Sequence, residues 1–290
     1  MEKDQFNGKK KYTVNDFNLG DLAPKFEIPP KEEFEAFKKN ISNLIGLDLL
    51  NYKSNQMERR ITSLMYRNEI QKLDKYYTLL KNNLEKRKEF INMLTINVTE
   101  FFRNEDKFTD LENKYIPELV NKFGPALKIW SAGCSCGAEI YSVAMILDKM
   151  GILDKCTLVA SDFDENILKR AQKGIYSRFE ISEEVLKKHK KYFNNIDDTG
   201  EKFQITRNIA SRVNFERKDL LNSKFDKGFN LILCRNVVIY FTEDAKERLY
   251  RGFYDSLNPG GILFIGSTER INYYREIGYK LISSFFYQKP

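Results

Sequence analysis

One histidine, one tryptophan and four cysteines are all that 290 residues hold of those three types. With so little histidine, chemistry built on an imidazole base is disfavoured, and His189 falls in a polar stretch away from the apolar runs. Four cysteines without framework spacing do not describe a disulfide-stapled secreted domain, so reduced thiols are expected. Cys134 and Cys136 form a C-x-C with no second cluster, while Cys156 and Cys234 stand alone; no metal site is expected, and packing of small side chains accounts for the pair. No apolar run approaches the roughly 18 residues of a membrane span, and the polar start MEKDQFNGKKK lacks a secretory core. These absences point to a cytoplasmic protein with no membrane insertion.

Cations, by contrast, are in excess: the formal charge is +7. Residues 51–90 hold ten Lys or Arg against five Asp or Glu. Such a stretch attracts acidic partners, whether nucleic acid, anionic lipid or a carboxylate-rich protein, and it equally describes a solvated helix face.

Residues 1–30 are polar, carry Pro29 and Pro30, and read as an N-terminal arm. Residues 31–96 keep helical spacing, in Phe34, Phe37, Ile41, Leu44 and Ile45, then Met57, Ile61 and Leu64, then Phe90, Met93 and Leu94; they read as a small all-α domain. In the second of these helices Arg60, Ser63 and Arg67 fall on a face away from Met57, Ile61 and Leu64. Residues 97–127 read as a linker with a connecting helix around 106–114. From 128 to 290 the short apolar runs KIWSA, TLVASD, FNLILCR and GILFIGS alternate with amphipathic segments at 139–149, 165–172 and 243–257. That alternation predicts an α/β domain of βαβ units with a mostly parallel sheet. The closing YKLISSFFYQKP reads as a final strand antiparallel to GILFIGS, and the polar stretch 174–215 as a small inserted β-subdomain.

The stretch IWSAGCSCGAEIYSVAMIL joins the first strand to its helix through Gly133 and Gly137. Small residues there let a ligand approach the backbone, and the helix start offers unpaired N–H groups; the same glycines would serve a plain corner. Asp162 closes the next strand, where an acidic residue reaches the ribose hydroxyls of a nucleoside lying over the sheet edge; Asp162 or Asp164 also caps the following helix. The spacing suits NAD or S-adenosylmethionine, but the G-x-G-x-x-G fingerprint of dinucleotide sites is absent.

Three stretches taken together resemble the CheR family of chemotaxis receptor methyltransferases: NVTEFFRN (97–104), WSAGCSCGAEIYSVAM (130–145), and CRNVVIYF (234–241) with the following NPGGILFIGSTE (258–269). The likeness runs from about residue 31 to the C-terminus. It implies a Rossmann-like methyltransferase sheet with an inserted β-subdomain behind an all-α domain, S-adenosylmethionine as cofactor, and methylation of receptor glutamates. By the same resemblance Asn97, Thr99 and Arg103 form a polar cluster at the cofactor pocket, which also takes in Gly133. Glu139 and Asp162 hold the cofactor, Asp219 and Leu220 flank its adenine, and Arg235 and Asn236 end the fourth strand; these six with Asn97, Thr99, Arg103 and Gly133 are the implied cofactor-binding set. Tyr240 lies near the methyl group, and Arg103 and Tyr240 are the implied catalytic pair. The chain departs from the family pattern at Ala138, Ile140 and Cys136, where Glu, Pro and Thr are usual, and at Asp219, often Asn. Only the second glutamate of the usual pair remains, as Glu139.

A glutamate carboxylate is already ionised at neutral pH, so esterification needs no base. The partners implied are acidic receptor helices, met by Arg59, Arg60 and Arg67, and a receptor C-terminal peptide at the inserted subdomain; a monomer is expected, and no nucleic-acid partner. A nucleic-acid methyltransferase would share the sheet and the charge, but Cys-Arg-Asn-Val-Val stands where amine-directed enzymes carry an Asn-Pro-Pro-Tyr-like turn. A non-catalytic S-adenosylmethionine sensor would keep Glu139 and Asp162 while losing Arg103 or Tyr240, and both are present.

Overall fold

Helical periodicity in residues 31–94 becomes four helices, α1 (Lys31–Ile45), α2 (Ser54–Arg67), α3 (Leu73–Asn82) and α4 (Leu84–Leu94), in a computed structural model that describes residues 29–94 and 99–290. The expected arm falls almost wholly outside the described residues, as does Asn97. Phe34, Phe37 and Ile41 of α1 pack against Ile61, Leu64 and Met65 of α2 and Leu80 and Phe90 beyond, giving this part its own core. α1 ends where Gly46 turns left-handed at φ 72°, a conformation a side chain resists.

Next come α5 (Glu105–Asp110) and α6 (Ile116–Phe123), joined through one wider π-type turn at Leu111–Tyr115. Pro117 has no N–H to return to the Asn113 carbonyl, which accounts for the local widening. The helix expected around 106–114 is therefore longer.

The alternating part follows: β1 (Lys128–Ala132), α7 (Ala138–Lys149), β2 (Thr157–Asp162), α8 (Glu165–Lys173), β3 (Ile175–Ser177), α9 (Glu183–His189), β4 (Phe193–Asn195), β5 (Lys202–Ile205), α10 (Arg207–Ala210), β6 (Val213–Arg217), β7 (Phe229–Cys234), α11 (Glu243–Ser256), β8 (Leu257–Ile265), α12 (Tyr274–Ile277), β9 (Lys280–Ser283) and β10 (Phe286–Gln288). The seven-stranded sheet runs β6-β2-β1-β7-β8-β10-β9, parallel except where β10 meets β8 and β9. Every residue of β7 is buried. Its Leu231 and Leu233 join the core on one face of the sheet while Ile232 and Cys234 join the other, as a two-sided parallel strand requires. Order reverses between β1 and β7, so a crevice opens beyond their carboxyl ends.

Two expectations are corrected. The insertion does not run to residue 215: β3, β5 and β4 make the small antiparallel sheet, but Val213 to Phe215 belong to β6, which pairs parallel with β2 at the main sheet's edge. A short apolar run does not announce which of two sheets it will join. The closing segment does pair antiparallel with β8 as expected, but through β10 alone: it is not one strand but a β9–β10 hairpin, turned at Ser284 and Phe285 with Phe285 at φ 72°. Without Gly or Asn, the turn carries no sequence signal.

A short antiparallel strap binds the helical part to the sheet. The Lys53 N–H donates to the Tyr240 carbonyl (2.9 Å), the Thr242 N–H to the Asn51 carbonyl (2.9 Å), and the Tyr52 and Phe241 rings meet edge to face at 5.0 Å. No helix among the described residues is long and apolar enough to cross a membrane.

Candidate active site

The crevice is an open cleft enclosing about 960 Å³, counted out to the solvent at its mouth. It brings together Thr99, Arg103, Gly133, Glu139, Asp162, Asp219, Leu220, Arg235, Asn236 and Tyr240, gathered from five separate segments. Ser135 of the small-residue turn and Leu94 also line it, as do Tyr52, Phe163 and Lys218, which nothing in their sequence context singled out.

Backbone strain is concentrated around this cleft. Six described non-glycine residues have positive φ, and four of them are Phe102 (53°), Asn104 (62°), Ser135 (49°) and Asn236 (59°). Left-handed backbone costs a side-chain-bearing residue on the order of 1–3 kcal/mol and persists only where its surroundings enforce it. Here each is tied to a buried polar side chain. The Phe102 N–H donates to Ser142 Oγ (3.0 Å), and Asn104 Oδ1 accepts from Arg235 Nη2 (2.7 Å). The Ser135 N–H donates to Asp162 Oδ2 (2.8 Å), and the Asn236 N–H to Glu269 Oε2 (3.0 Å).

Arg235 does most in this scaffold. Its side chain leaves the end of β7, lies over the Phe264 ring at 4.5 Å, and donates to the Arg103 carbonyl (2.8 Å) as well as to Asn104. Nη1 reaches Glu139 Oε2 at 3.5 Å. It thus fixes the loop that carries Arg103. Glu269, which sequence reading did not single out, accepts N–H bonds from Gly266, Asn236 and Val238 and so holds the turn between β7 and Tyr240. Gly266 is required for that closeness, since a Cβ there would stand 2.7 Å from Glu269 Oε2 and 2.8 Å from the Asn236 nitrogen. At Gly133 (φ 78°) a Cβ would come within 2.5 Å of Val237.

Glu139 opens α7, a helix buried along most of its length, and accepts from the Ser131 hydroxyl at 2.7 Å. Burial pushes its carboxyl up, against Arg235, Ser131 and Arg103, which favour the ionised form. Burial also raises Asp162, opposed by the N–H groups of Asp164 and Ser135. Asp164, not Asp162, is the cap of α8, accepting from the Asn166 and Ile167 N–H groups. Asp219 accepts from the Leu221 N–H (2.9 Å) and the Asn222 amide (2.8 Å), which shapes its turn beside the cleft.

Two sequence expectations, those for His189 and Arg60, meet a different surrounding, while the expected free thiols are found. His189 is not remote: it stacks on Phe102 at 4.1 Å, one residue before Arg103, although it does not line the cleft. Cys134, Cys136 and Cys234 are buried free thiols, each pushed up by burial. Arg60 does not simply face outward with Arg59 and Arg67; it is half-buried, donates from Nη1 to the Leu94 carbonyl (3.1 Å) and lies over the Tyr240 ring at 4.9 Å. Among the described residues no cluster of three or more His, Cys, Asp or Glu is placed to hold a metal.

The profile described as the all-alpha domain of CheR methyltransferases matches residues 32–95, and that described as the CheR methyltransferase SAM binding domain matches residues 97–284. The chain belongs to the CheR methyltransferase family. A chemotaxis protein methyltransferase of Listeria innocua is 37% identical over 263 residues, covering 90% of this chain and 99% of that protein. One from Borreliella burgdorferi is 31% identical over 267 residues, covering 88% of this chain and 94% of that protein. As in other CheR methyltransferases the cofactor is S-adenosylmethionine, and the donor set fits it. Asp162 and Glu139 keep acceptor capacity beyond their protein partners, since a carboxylate offers about four lone-pair sites. Asp162 at the end of β2 would take the ribose hydroxyls, Glu139 the cationic portion, and Leu220 and Phe163 offer apolar flanks for the base.

Because both carboxyls are raised by burial, they gain protons at higher pH than ordinary carboxylates. Binding that uses their ionised forms is strong where both are charged and weakens as pH falls through the raised range. Calorimetric titration with S-adenosylhomocysteine, lowered from neutral pH down through the ordinary carboxylate range, is expected to show binding that weakens before that range is reached. A flat profile over that interval would show that neither carboxylate acts as a charged acceptor.

Proposed function

We propose that this CheR methyltransferase esterifies glutamate side chains of chemotaxis receptors in the cytoplasm, with Arg103 and Tyr240 as the residues that meet the acceptor. The observation that carries this reading is the position of both at the seam where the basic helical part closes over the cofactor cleft. When bound, S-adenosylmethionine supplies a methyl group on a sulfonium, which a carboxylate oxygen can take directly with no proton to remove. The protein's own work is then placement and exclusion of water. Arg103 offers a planar pair of donors to orient the incoming carboxylate, and Tyr240 offers its ring face or hydroxyl beside it. The chain's single histidine sits outside the cleft lining, which suits an acceptor that arrives ionised.

Incubation with methyl-labelled cofactor and a receptor cytoplasmic fragment tests the reading. Base-labile label on the receptor is expected. Label on RNA, or cofactor binding without transfer to any acceptor, would overturn it.

Arg59 and Arg67, both exposed on α2, would meet the acidic receptor helices. Reversing both to glutamate is expected to raise KM for the receptor fragment about tenfold at low salt with kcat nearly kept, and the difference from wild type should shrink near physiological ionic strength. Salt-independent behaviour in both proteins would assign docking to another surface.

A further inference from the structure

We infer that Arg60 is a positioning residue for Tyr240, by which the helical part sets the geometry of the acceptor site, rather than a docking cation for the receptor. This rests on the catalytic role proposed above for Tyr240.

Tyr240 ends a three-residue turn, Val238–Tyr240, and its carbonyl is held by the Lys53 N–H. That bond fixes the backbone and leaves the ring two torsions. Beside the ring lies a narrow crevice open to solvent, lined by Lys53, Gln56, Met57 and Arg60 together with Tyr52, Leu94 and Tyr240. The last three also line the main cleft, so they form the partition between the two spaces. Arg60 supports that partition from the α2 side. Its guanidinium lies 4.9 Å from the Tyr240 ring centre, while Nη1 donates to the Leu94 carbonyl at 3.1 Å and approaches the Met93 carbonyl at 3.5 Å.

The arrangement is specific in a way that a solvated cation is not. Carbonyls at the end of α4 orient the guanidinium, and the oriented plane limits where the Tyr240 ring can go. One side chain therefore ties together α2, the end of α4 and the turn carrying Tyr240. Lysine at this position would keep the charge but lose both the plane and the fork. A ring released by as little as 1 Å is enough to slow chemistry about 100-fold.

The tests are Arg60→Ala, Arg60→Lys, Tyr240→Ala and Arg60→Ala/Tyr240→Ala, assayed by label transfer to the receptor fragment, with S-adenosylhomocysteine affinity and melting temperature measured alongside. Arg60→Met, which keeps the apolar stem, replaces Arg60→Ala should the latter fail to fold. Expected are a 10- to 100-fold fall in kcat for Arg60→Ala, a similar fall for Arg60→Lys, a KM for receptor within about twofold of wild type, and no further loss from Arg60→Ala in the Tyr240→Ala background. In cofactor-free protein labelled with fluorotyrosine, the resonance identified by its absence from Tyr240→Phe should move or broaden on Arg60→Ala.

A raised KM with kcat kept, full rescue by lysine, multiplicative losses in the double variant, or an unmoved resonance would each overturn the inference while leaving the role of Tyr240 intact. Full activity of Tyr240→Ala would instead remove that role and the inference with it.

Discussion

Asp162→Asn is expected to weaken binding of S-adenosylhomocysteine by about 100-fold, equivalent to about 2.7 kcal/mol, with the protein still folded. The size follows from two losses at one position. Asp162 Oδ2 accepts the N–H of Ser135, which is held at φ 49°, and Oδ1 accepts the N–H of Asp164 at 3.1 Å. An amide has one oxygen for these two donors, so its NH2 group must face one of them. Ser135 is then released toward ordinary backbone angles, and the turn between β1 and α7 opens. At the same time the carboxylate that would take the ribose hydroxyls loses its charge. Calorimetry measures the affinity, and thermal melting shows that the sheet survives. Affinity within about threefold of wild type would mean that Asp162 serves the turn alone and that the turn tolerates its loss.

Arg103→Ala is expected to act on the other quantity. Here kcat should fall roughly 100- to 1,000-fold, the range for removing a preorganised hydrogen-bond donor, with a smaller loss of S-adenosylhomocysteine affinity. Arg103 sits between two left-handed residues, Phe102 and Asn104, and its carbonyl is gripped by the buried Arg235. Such an investment in loop geometry makes sense for a side chain whose position matters to within a fraction of an ångström. Arg103→Lys should recover little, because an ammonium cannot present two parallel donors to a carboxylate. Single-turnover transfer to the receptor fragment gives the chemical step directly. Unchanged kcat with raised KM would make Arg103 a binding residue only.

The central strands were legible because a parallel strand covered on both faces is apolar through its middle, as the short runs in KIWSA, TLVASD and above all FNLILC are. The residues drawn into the cleft were legible through family resemblance, since carboxylates and arginines in a sequence do not declare which loops will converge. What stayed hidden has physical causes. The β9–β10 turn places Phe285 in a conformation that only its neighbours enforce. Val213 to Phe215 pair with β2 by virtue of what lies across space. Helical spacing put Arg60 on the polar side of α2, yet α4 and the turn carrying Tyr240 come to cover that side. Glu269, following a strand in a Ser-Thr-Glu run, has the look of a solvated acid, and only the folded chain shows three N–H groups aimed at it.

Glu269 lies some 130 residues after the Gly133 turn on which the cleft is built, and β10, which pairs with the strand just before Glu269, comes later still. During synthesis on the ribosome the chain emerges from its N-terminal end, so the helical part and the first strands can pack early. The turn at Asn236 cannot lock until the last quarter of the polypeptide is out. A nascent chain halted before residue 269 would carry every other polar anchor of the cleft and still be unable to grip its small-molecule ligand.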